Sequence, residues 1–409
     1  MSLRDAWPFG RASREHGVHQ RNGAKPLSFL AGRCHCPGLR YPCTKSASID
    51  PDACAAARNR SQPLASGYPA RSARSSGESV LFETRDAADG QIRNGMTVDD
   101  LRGLGGAVAH PLTGPVEIIG ARPGDTLEIS FEEIVPQPYG WTRIRPGAGF
   151  LRDWFHRDFL VHWTMADGFA RSEQVPGVRI PEGCFMGTAG VAPSHEQLVQ
   201  WTRREADWAA QGGFAAPPDA RDAVPAHEPV ASTGLRTIPP RENGGNADIR
   251  QLTRGSRLQL PVAVPGAMFS VGDAHYAQGD SECCITAIEM GATVVVRFNL
   301  LEGHASRTGM RWPRFAHDGY FMAPEWAAPR GFVATTGMPV HADGRQSGEN
   351  LTLAAQNALL EMINLICERG FSREQAYVIC SVAVDLRISN AVDLPNVTVS
   401  ALLPTAIFD

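Results

Sequence analysis

The densest group of residues that could do chemistry lies in GDAHYAQGDSECC, residues 272–284. Asp273 and His275 are two positions apart, so on an extended strand their side chains project to the same face. Asp280 and Glu282 repeat this spacing after a glycine, and a turn between two short strands would bring all four side chains together. Carboxylates and an imidazole are ligands of hydrolytic divalent metals, and one uncoordinated acid could accept a proton from water. The alternative is a polar hairpin whose acids cap turns.

Two other segments and one histidine offer further ligands. In ENGGNADI, Asn246 and Asp248 share one face of an extended segment after a Gly-Gly turn. DAADG, residues 86–90, carries two more acids, and His110 opens HPLTGP. For the first two segments the alternative is an Asx-rich turn or loop, and for His110 a strand-start residue bonded to backbone. Cys283 and Cys284 could include a nucleophile, although buried structural cysteine is the commoner role.

The lysine content excludes several hydrolytic chemistries. The only lysines are Lys25 and Lys45, both in an N-terminal segment that reads as disordered. The Ser–Ser–Lys relay, the Glu–Lys–Cys site, a pyridoxal phosphate Schiff base and a P-loop all need a lysine, and arginine cannot shuttle a proton near neutral pH. GxSxG, HExxH and a GxGxxG following a strand are also absent. A metal-activated water, or a carboxylate with Cys or Ser, is left.

Composition indicates a globular chain with a basic N-terminal arm. The 409 residues are 43% hydrophobic and 20% charged, which predicts two or three cores. Neither a long apolar run nor a secretory signal is present, so we expect no membrane partner and a cytoplasmic protein, whose nine cysteines are reduced. Residues 1–76 hold ten Arg and two Lys against four acids and are therefore basic, whereas the whole chain has a formal net charge of −4. The arm does not interleave aromatic and basic residues, so no nucleic-acid partner is expected.

The periodicity of the remaining chain predicts mainly β structure with helices near the C-terminus. Residues 205–235 read as a long surface loop. Ser372 with Gln375 forms a capping box, and Gly370 suits the end of the helix before it. The predicted strands are Val116–Ile119, Thr126–Ile134, Arg257–Val264, Ala287–Glu289, Thr293–Leu300 and Val397–Leu403, and the predicted helices are Glu196–Ala210, Asn350–Arg369 and one after Ser372.

Taken in order, several segments of residues 77–409 resemble the acetamidase/formamidase family. They are HPLTGPVEIIGARPGD, FMGTAGVAPS, RTIPPRENGGNADI, LPVAVPGAMFSVGDAHYAQGDSECCITAIE and the stretch from LTLAAQNALL to VAVDLRIS. The resemblance implies a mainly β, sandwich-like fold with an α+β C-terminal part. It also implies hydrolysis of a small amide, formamide or acetamide, to carboxylate and ammonia, a homo-oligomer, and a divalent metal, with zinc expected.

The residue patterns and the resemblance together give expected roles to individual residues of this chain. Glu282 is the expected general base, with Asp280 next in line. The expected substrate-binding residues are Asn246, His110 and Gly279, and the expected metal ligands are Asp273, His275, Asp248 and Asp89, with Asp86 a further match. The alternatives are an impaired family member that binds a ligand without catalysis, and a hydrolase of another non-peptide C–N bond.

The sequence departs from the family pattern in two places. Ser281 stands where the family has a glycine, which predicts a more crowded turn. Residues 1–76 lack the His–aromatic segment typical of the family, and their Arg/Ser/Ala/Pro composition is typical of disorder or of a mistranslated start. Four cysteines with His35 lie there without paired zinc-ligand spacing. We expect that deleting this arm leaves stability and activity nearly unchanged.

Overall fold

The structure, a computed structural model, describes residues 72–104, 109–215, 235, 237–320 and 331–409. Nearly all of the predicted N-terminal arm, with its cysteines, lies outside these residues, as does most of the predicted 205–235 loop. The large sheet begins at Ser72, just before the end of the predicted arm at residue 76. The boundary between the arm and the rest of the chain stays a prediction. In the described part of the chain, no helix is long and apolar enough to span a bilayer.

The described strands form one large branched sheet and one small sheet. The large sheet runs β1-β3-β11-β12-β4-β5-β6-β7, and β2, β8, β9, β10 and β13 pair off this path. Its strands are β1 (Ser72–Arg74), β2 (Ser79–Thr84), β3 (Leu112–Ile118), β4 (Thr126–Ile144), β5 (Phe159–Ala166), β6 (Phe169–Arg171), β7 (Arg179–Pro181), β8 (Phe185–Gly190), β9 (Gly244–Asn246), β10 (Ser256–Pro261), β11 (Phe269–His275), β12 (Glu289–Leu301) and β13 (Arg314–His317).

Strand β12 is the spine of the large sheet. It pairs antiparallel with β4, β2 and β11, and Val294, Val296 and Phe298 alternate into the core. The sequence predicted two short strands here, which is wrong. The register shift between Met290 and Ala292 is a bulge that breaks the alternation but not the pairing. The same shift allows β4 to run past its predicted end through Pro136, which pairs with Ala292.

The C-terminal part is an α+β layer, as predicted. Strands β14 (Phe332–Gly337), β16 (Thr398–Pro404) and β15 (Asp385–Asn390) form the small sheet in that order. The first C-terminal helix buries an apolar stripe of residues at helical spacing, and the predicted Ser372–Gln375 capping box is present. The described helices are α1 (Val98–Leu101), α2 (His195–Ala210), α3 (His304–Thr308), α4 (Leu351–Cys367) and α5 (Arg373–Ala383). The predictions of a mainly β fold and of the three long helices are confirmed.

Candidate functional site

The candidate site is built on β11, a strand whose residues are all buried. β11 lies between β3, β8 and β12, so its polar side chains Asp273 and His275 are enclosed by sheet. In the antiparallel register with β12, His275 lies opposite Glu289. The ring of Phe185 contacts His275 edge to face, with ring centroids 5.0 Å apart, and this packing orients the imidazole.

Four carboxylates surround the His275 imidazole. Nε2 lies 3.4 Å from Asp273 Oδ1, 3.2 Å from Glu289 Oε2 and 3.9 Å from Glu282 Oε1. Asp248 Oδ1 lies 4.0 Å from Nδ1 of the same ring. Asp248, Asp273, His275, Glu282 and Glu289 are called the His275 cluster below.

Several residues at this site adopt a backbone conformation that is rare for side-chain-bearing residues. The φ angles of Asp248, Asp273, Glu282 and His110 are 47°, 57°, 48° and 52°. Non-glycine residues pay a conformational cost in this left-handed region, of order 1 kcal/mol or more each, and such residues concentrate at functional sites. The surrounding sheet and hydrogen bonds therefore hold these residues in backbone conformations that an unfolded chain would rarely adopt.

The segment that carries Glu282 rests on helix α5. Gly279 N donates to Ser381 O at 2.9 Å, and Cys284 N donates to Ser381 Oγ at 3.1 Å. A Cβ on Gly279 would lie 2.2 Å from Val384 O, so only glycine allows this close approach. Gly279 thus serves loop packing, and its expected role in substrate binding stays a prediction.

The adjacent cysteines are core residues. Cys283 and Cys284 are buried and free. Burial raises the pKa of Cys284 to about 11 and holds that of Cys283 well above its ordinary value. A thiol with a raised pKa is a poor nucleophile near neutral pH, so the structure favours the packing role.

The structure does not bring Asp280 or Asp89 into the His275 cluster. Asp280 Oδ1 accepts a hydrogen bond from Gln251 at 3.0 Å and lies 3.7 Å from Arg250 Nε. Asp89 pairs with Arg85 at 2.8 Å. Its neighbour Asp86 accepts from the backbone N–H groups at positions 88 and 90. These acids organise their own loops.

His110 and Asn246 lie beside the cluster. His110 Nε2 lies 4.0 Å from Asp273 Oδ2. Asn246 Oδ1 accepts from Thr188 Oγ1 at 2.7 Å, and the same hydroxyl lies 3.2 Å from Asp273 Oδ2. Asn246 Nδ2 donates to Ile238 O at 2.9 Å, so both ends of this amide are engaged.

Burial raises the pKa values of three of the four carboxylates in the cluster. It outweighs the neighbouring His275 and raises the pKa of Glu282 to about 8 and that of Glu289 to about 7. Burial and the Glu282 carboxylate hold the pKa of Asp248 well above its ordinary value. Negative charge at this density is costly without a compensating cation.

Asp273 and His275 shift in the opposite sense. Burial alone would raise the pKa of Asp273, but His110 and His275 outweigh it and hold that pKa below its ordinary value. For His275, Glu289 and Asp273 outweigh burial and hold the pKa well above the ordinary value. Each of these two groups thus favours the charged form of the other.

The donor set fits a divalent cation. The buried atoms without a hydrogen-bond partner include His275 Nε2, Asp273 Oδ1, Glu289 Oε2 and Asp248 Oδ1, although buried polar atoms are normally paired. Two overlapping groups have ligand atoms close enough for one ion, and both contain His275: Asp273–His275–Glu289 and Asp248–His275–Glu282. An imidazole with carboxylates suits zinc and related hydrolytic metals.

Glu289 is the residue that the sequence analysis missed. It was placed at the end of a short strand and given no chemical role. The available signal was a glutamate inside the otherwise apolar run AIEMGATVVV, because an unpaired acid is seldom fully buried. Only the β11–β12 register reveals that it faces His275.

A buried ion pair fixes the loops that carry Asp248 and Glu282. Arg250 pairs with Asp385, which also accepts from Asp280 N at 3.3 Å. The Arg250 side chain is 4% exposed. We expect Asp385→Ala to lower the free energy of unfolding by about 3–5 kcal/mol, because it removes one partner of a buried pair. Chemical denaturation measures this.

The matched control is Asp318→Ala, which removes the 2.7 Å pair with Arg257 at the surface. It should leave the denaturation midpoint unchanged, because solvent-exposed pairs contribute little. Equal midpoints for Asp385→Ala and the wild type would contradict the assigned role of the buried pair.

Comparison with known proteins identifies the family of this chain. The profile of the acetamidase/formamidase family matches residues 55–409. A putative formamidase of Schizosaccharomyces pombe is 34% identical over 81% of this chain and 86% of its own length. An acetamidase of Mycolicibacterium smegmatis is 33% identical over 76% of this chain and 82% of its own. The chain belongs to the acetamidase/formamidase family, as its sequence predicted, and is thereby placed among the amide hydrolases.

A solved structure extends the likeness to three dimensions. The gamma lactamase from Delftia acidovorans superposes with a TM-score of 0.80 at 33% identity, covering 85% of this chain and 88% of that one. The match to the family begins at residue 55, upstream of the first described strand and of the resemblance recognised in the sequence. Part of the predicted arm therefore belongs to the family region.

Proposed function

We propose that this chain hydrolyses formamide or acetamide to the carboxylate and ammonia by metal-activated water. The observation that carries the proposal is the His275 cluster, in which an imidazole nitrogen and three carboxylate oxygens are buried without hydrogen-bond partners. The family and its formamidase and acetamidase relatives support the substrate class. The homo-oligomeric state and cytoplasmic location stay predictions.

Asp273, His275 and Glu289 are the proposed ligands, with Asp248 completing the set. Zinc is the expected ion, and its identity stays a proposal. A divalent cation held by these residues would supply a water of lowered pKa and a Lewis acid for the amide carbonyl. The Thr188 hydroxyl has a single hydrogen to donate; it lies 2.7 Å from Asn246 Oδ1 and 3.2 Å from Asp273 Oδ2. Asn246 is therefore proposed to act on the site by holding the Thr188 side chain beside Asp273.

Glu282 is the proposed general base. It belongs to the His275 cluster, its side chain is 15% exposed, and its pKa is raised to about 8, near the value suited to proton transfer at neutral pH. It accepts a proton from the attacking water and passes this proton to the leaving nitrogen, which departs as ammonia. His110 Nε2 is available beside Asp273 and is the proposed donor to the substrate carbonyl oxygen.

Ammonia release by the purified full-length chain tests the proposal. With zinc present, we expect turnover of formamide or acetamide, read with a coupled ammonia assay. Folded, zinc-loaded protein that releases no ammonia from either amide would contradict the proposal. It would favour the alternative of a binding protein that retains the family fold.

Removal of the metal is expected to abolish amide hydrolysis, and zinc should restore it. The reason is that the described residues include no lysine, and the adjacent cysteines are buried with raised pKa values. The measurement is ammonia release after dialysis against a chelator, with metal content followed by elemental analysis. Full activity in metal-free protein would rule out the metal mechanism.

A cyclic amide is the second candidate substrate. The gamma lactamase from Delftia acidovorans, with its TM-score of 0.80, is the observation that favours it, since a lactam contains the same amide bond within a ring. Assays with 2-pyrrolidinone beside formamide and acetamide separate the two candidates. A kcat/KM for the lactam above that for both linear amides would select the second.

A further inference from the structure

Gln278 connects two parts of the His275 cluster through one side chain. It lies three residues after His275 and is 2% exposed. Its Oε1 lies 3.0 Å from His275 Nδ1, and its Nε2 donates to the backbone O of Asp248 at 2.9 Å. One buried amide thus contacts both the imidazole and the segment that carries a carboxylate.

The Asp248 contact determines how Gln278 meets the imidazole. A backbone carbonyl oxygen has no hydrogen to donate, so the NH₂ group of Gln278 must face Asp248. The amide oxygen then faces His275, and because it can only accept, Nδ1 must carry the proton. In a neutral imidazole this leaves the lone pair on Nε2, the atom nearest to Asp273 and Glu289.

We propose that Gln278 is a positioning residue that keeps the proton on His275 Nδ1 and thereby presents Nε2 to a divalent cation. Without this acceptor, Nε2–H could donate to Glu289 Oε2, 3.2 Å away, and would occupy the lone-pair direction that a cation needs. The proposal rests on the metal mechanism above and concerns how this chain prepares its ligand. Hydrogen-bond partners of ligating histidines typically change metal affinity by about 10–100-fold.

Zinc affinity and histidine NMR of the whole chain test this role. We expect Gln278→Met to raise the zinc dissociation constant by about 10–100-fold. The zinc-loaded wild type, labelled with ¹⁵N at histidine, should show His275 protonated at Nδ1 and metal-bound at Nε2. The signals are assigned from their loss in His275→Gln. Gln278→Glu keeps an acceptor for Nδ1, so the proton should stay there and zinc affinity should fall less.

The matched control is Gln356→Met. This substitution also removes a hydrogen bond from a side-chain amide to a backbone carbonyl oxygen, here Gln356 Nε2 to Phe150 O at 3.2 Å. Its zinc affinity should equal that of the wild type. Zinc bound through Nδ1 in the wild type, or unchanged affinity in folded Gln278→Met, would overturn the proposal. If Gln278→Met does not fold, Gln278→Glu decides the question. A proton on His275 Nε2 in Gln278→Glu would then overturn the proposal. A chain that binds zinc in this way but hydrolyses no amide would overturn the proposed function and leave Gln278's role intact.

Discussion

Glu282→Gln is expected to lower kcat for the amide substrate by about 10²–10⁴-fold, the range typical of a lost general base. Glutamine keeps the size of the side chain but cannot accept the proton of the attacking water. Because the base acts only when it is deprotonated, kcat/KM of the wild type should rise as the pH increases through the acidic part of the range. The variant should lose this dependence. Steady-state ammonia release between pH 5 and 9, roughly the stable range of a folded protein, measures both effects.

Zinc content distinguishes a base from a ligand. Glu282→Gln should retain zinc, whereas Glu289→Gln should bind it more weakly, because Glu289 Oε2 lies closer to His275 Nε2, at 3.2 Å against 3.9 Å for Glu282. Glu361→Gln, on the exposed side of α4, is the control and should behave as the wild type. Loss of zinc from Glu282→Gln would reassign that residue as a ligand. Wild-type turnover in Glu282→Gln would show that another residue is the general base, and Asp280 would be the next residue to replace.

The contrast between Asp280 and Glu282 explains one limit of the sequence analysis. Both were placed on one face because their spacing suits a strand. Between β11 and β12, however, the chain forms turns, and Glu282 has a φ of 48°. Asp280 therefore meets Gln251 and Arg250 while Glu282 meets His275. Side-chain direction in a turn depends on dihedrals that spacing cannot supply.

Local patterns were sufficient where the structure is locally determined. The apolar stripe of α4 and the capping box of α5 follow from residues within a few positions of each other. Asp273 and His275 were found together because they lie on a true strand. Glu289 was missed because its relation to His275 depends on the register between two strands, a long-range property that one sequence does not reveal.

Gly187→Ala is expected to disrupt the His275 cluster without changing any group that bonds to metal or substrate. Gly187 lies on β8, and its carbonyl accepts from Ala247 N at 3.1 Å and from Asp248 N at 3.2 Å. A Cβ here would lie 2.7 Å from Asp248 Oδ1, 2.8 Å from His275 Cε1 and 2.9 Å from Asp273 Oδ2. These distances are shorter than normal contacts, so the three side chains must move apart.

A shift of about 1 Å at a catalytic group can cost about 10²-fold in rate, and we expect a loss of this order in kcat/KM together with weaker zinc binding. Gly187 does not have a positive φ, so alanine can adopt its backbone conformation. The expected loss of rate and affinity would therefore come from the contacts of the added methyl group. Gly319→Ala is the control, because a Cβ there meets no atom within 4 Å. Zinc titration and ammonia release measure the outcome. Wild-type affinity and rate in Gly187→Ala would show that the cluster tolerates a methyl group at its centre and that its geometry is not the basis of catalysis.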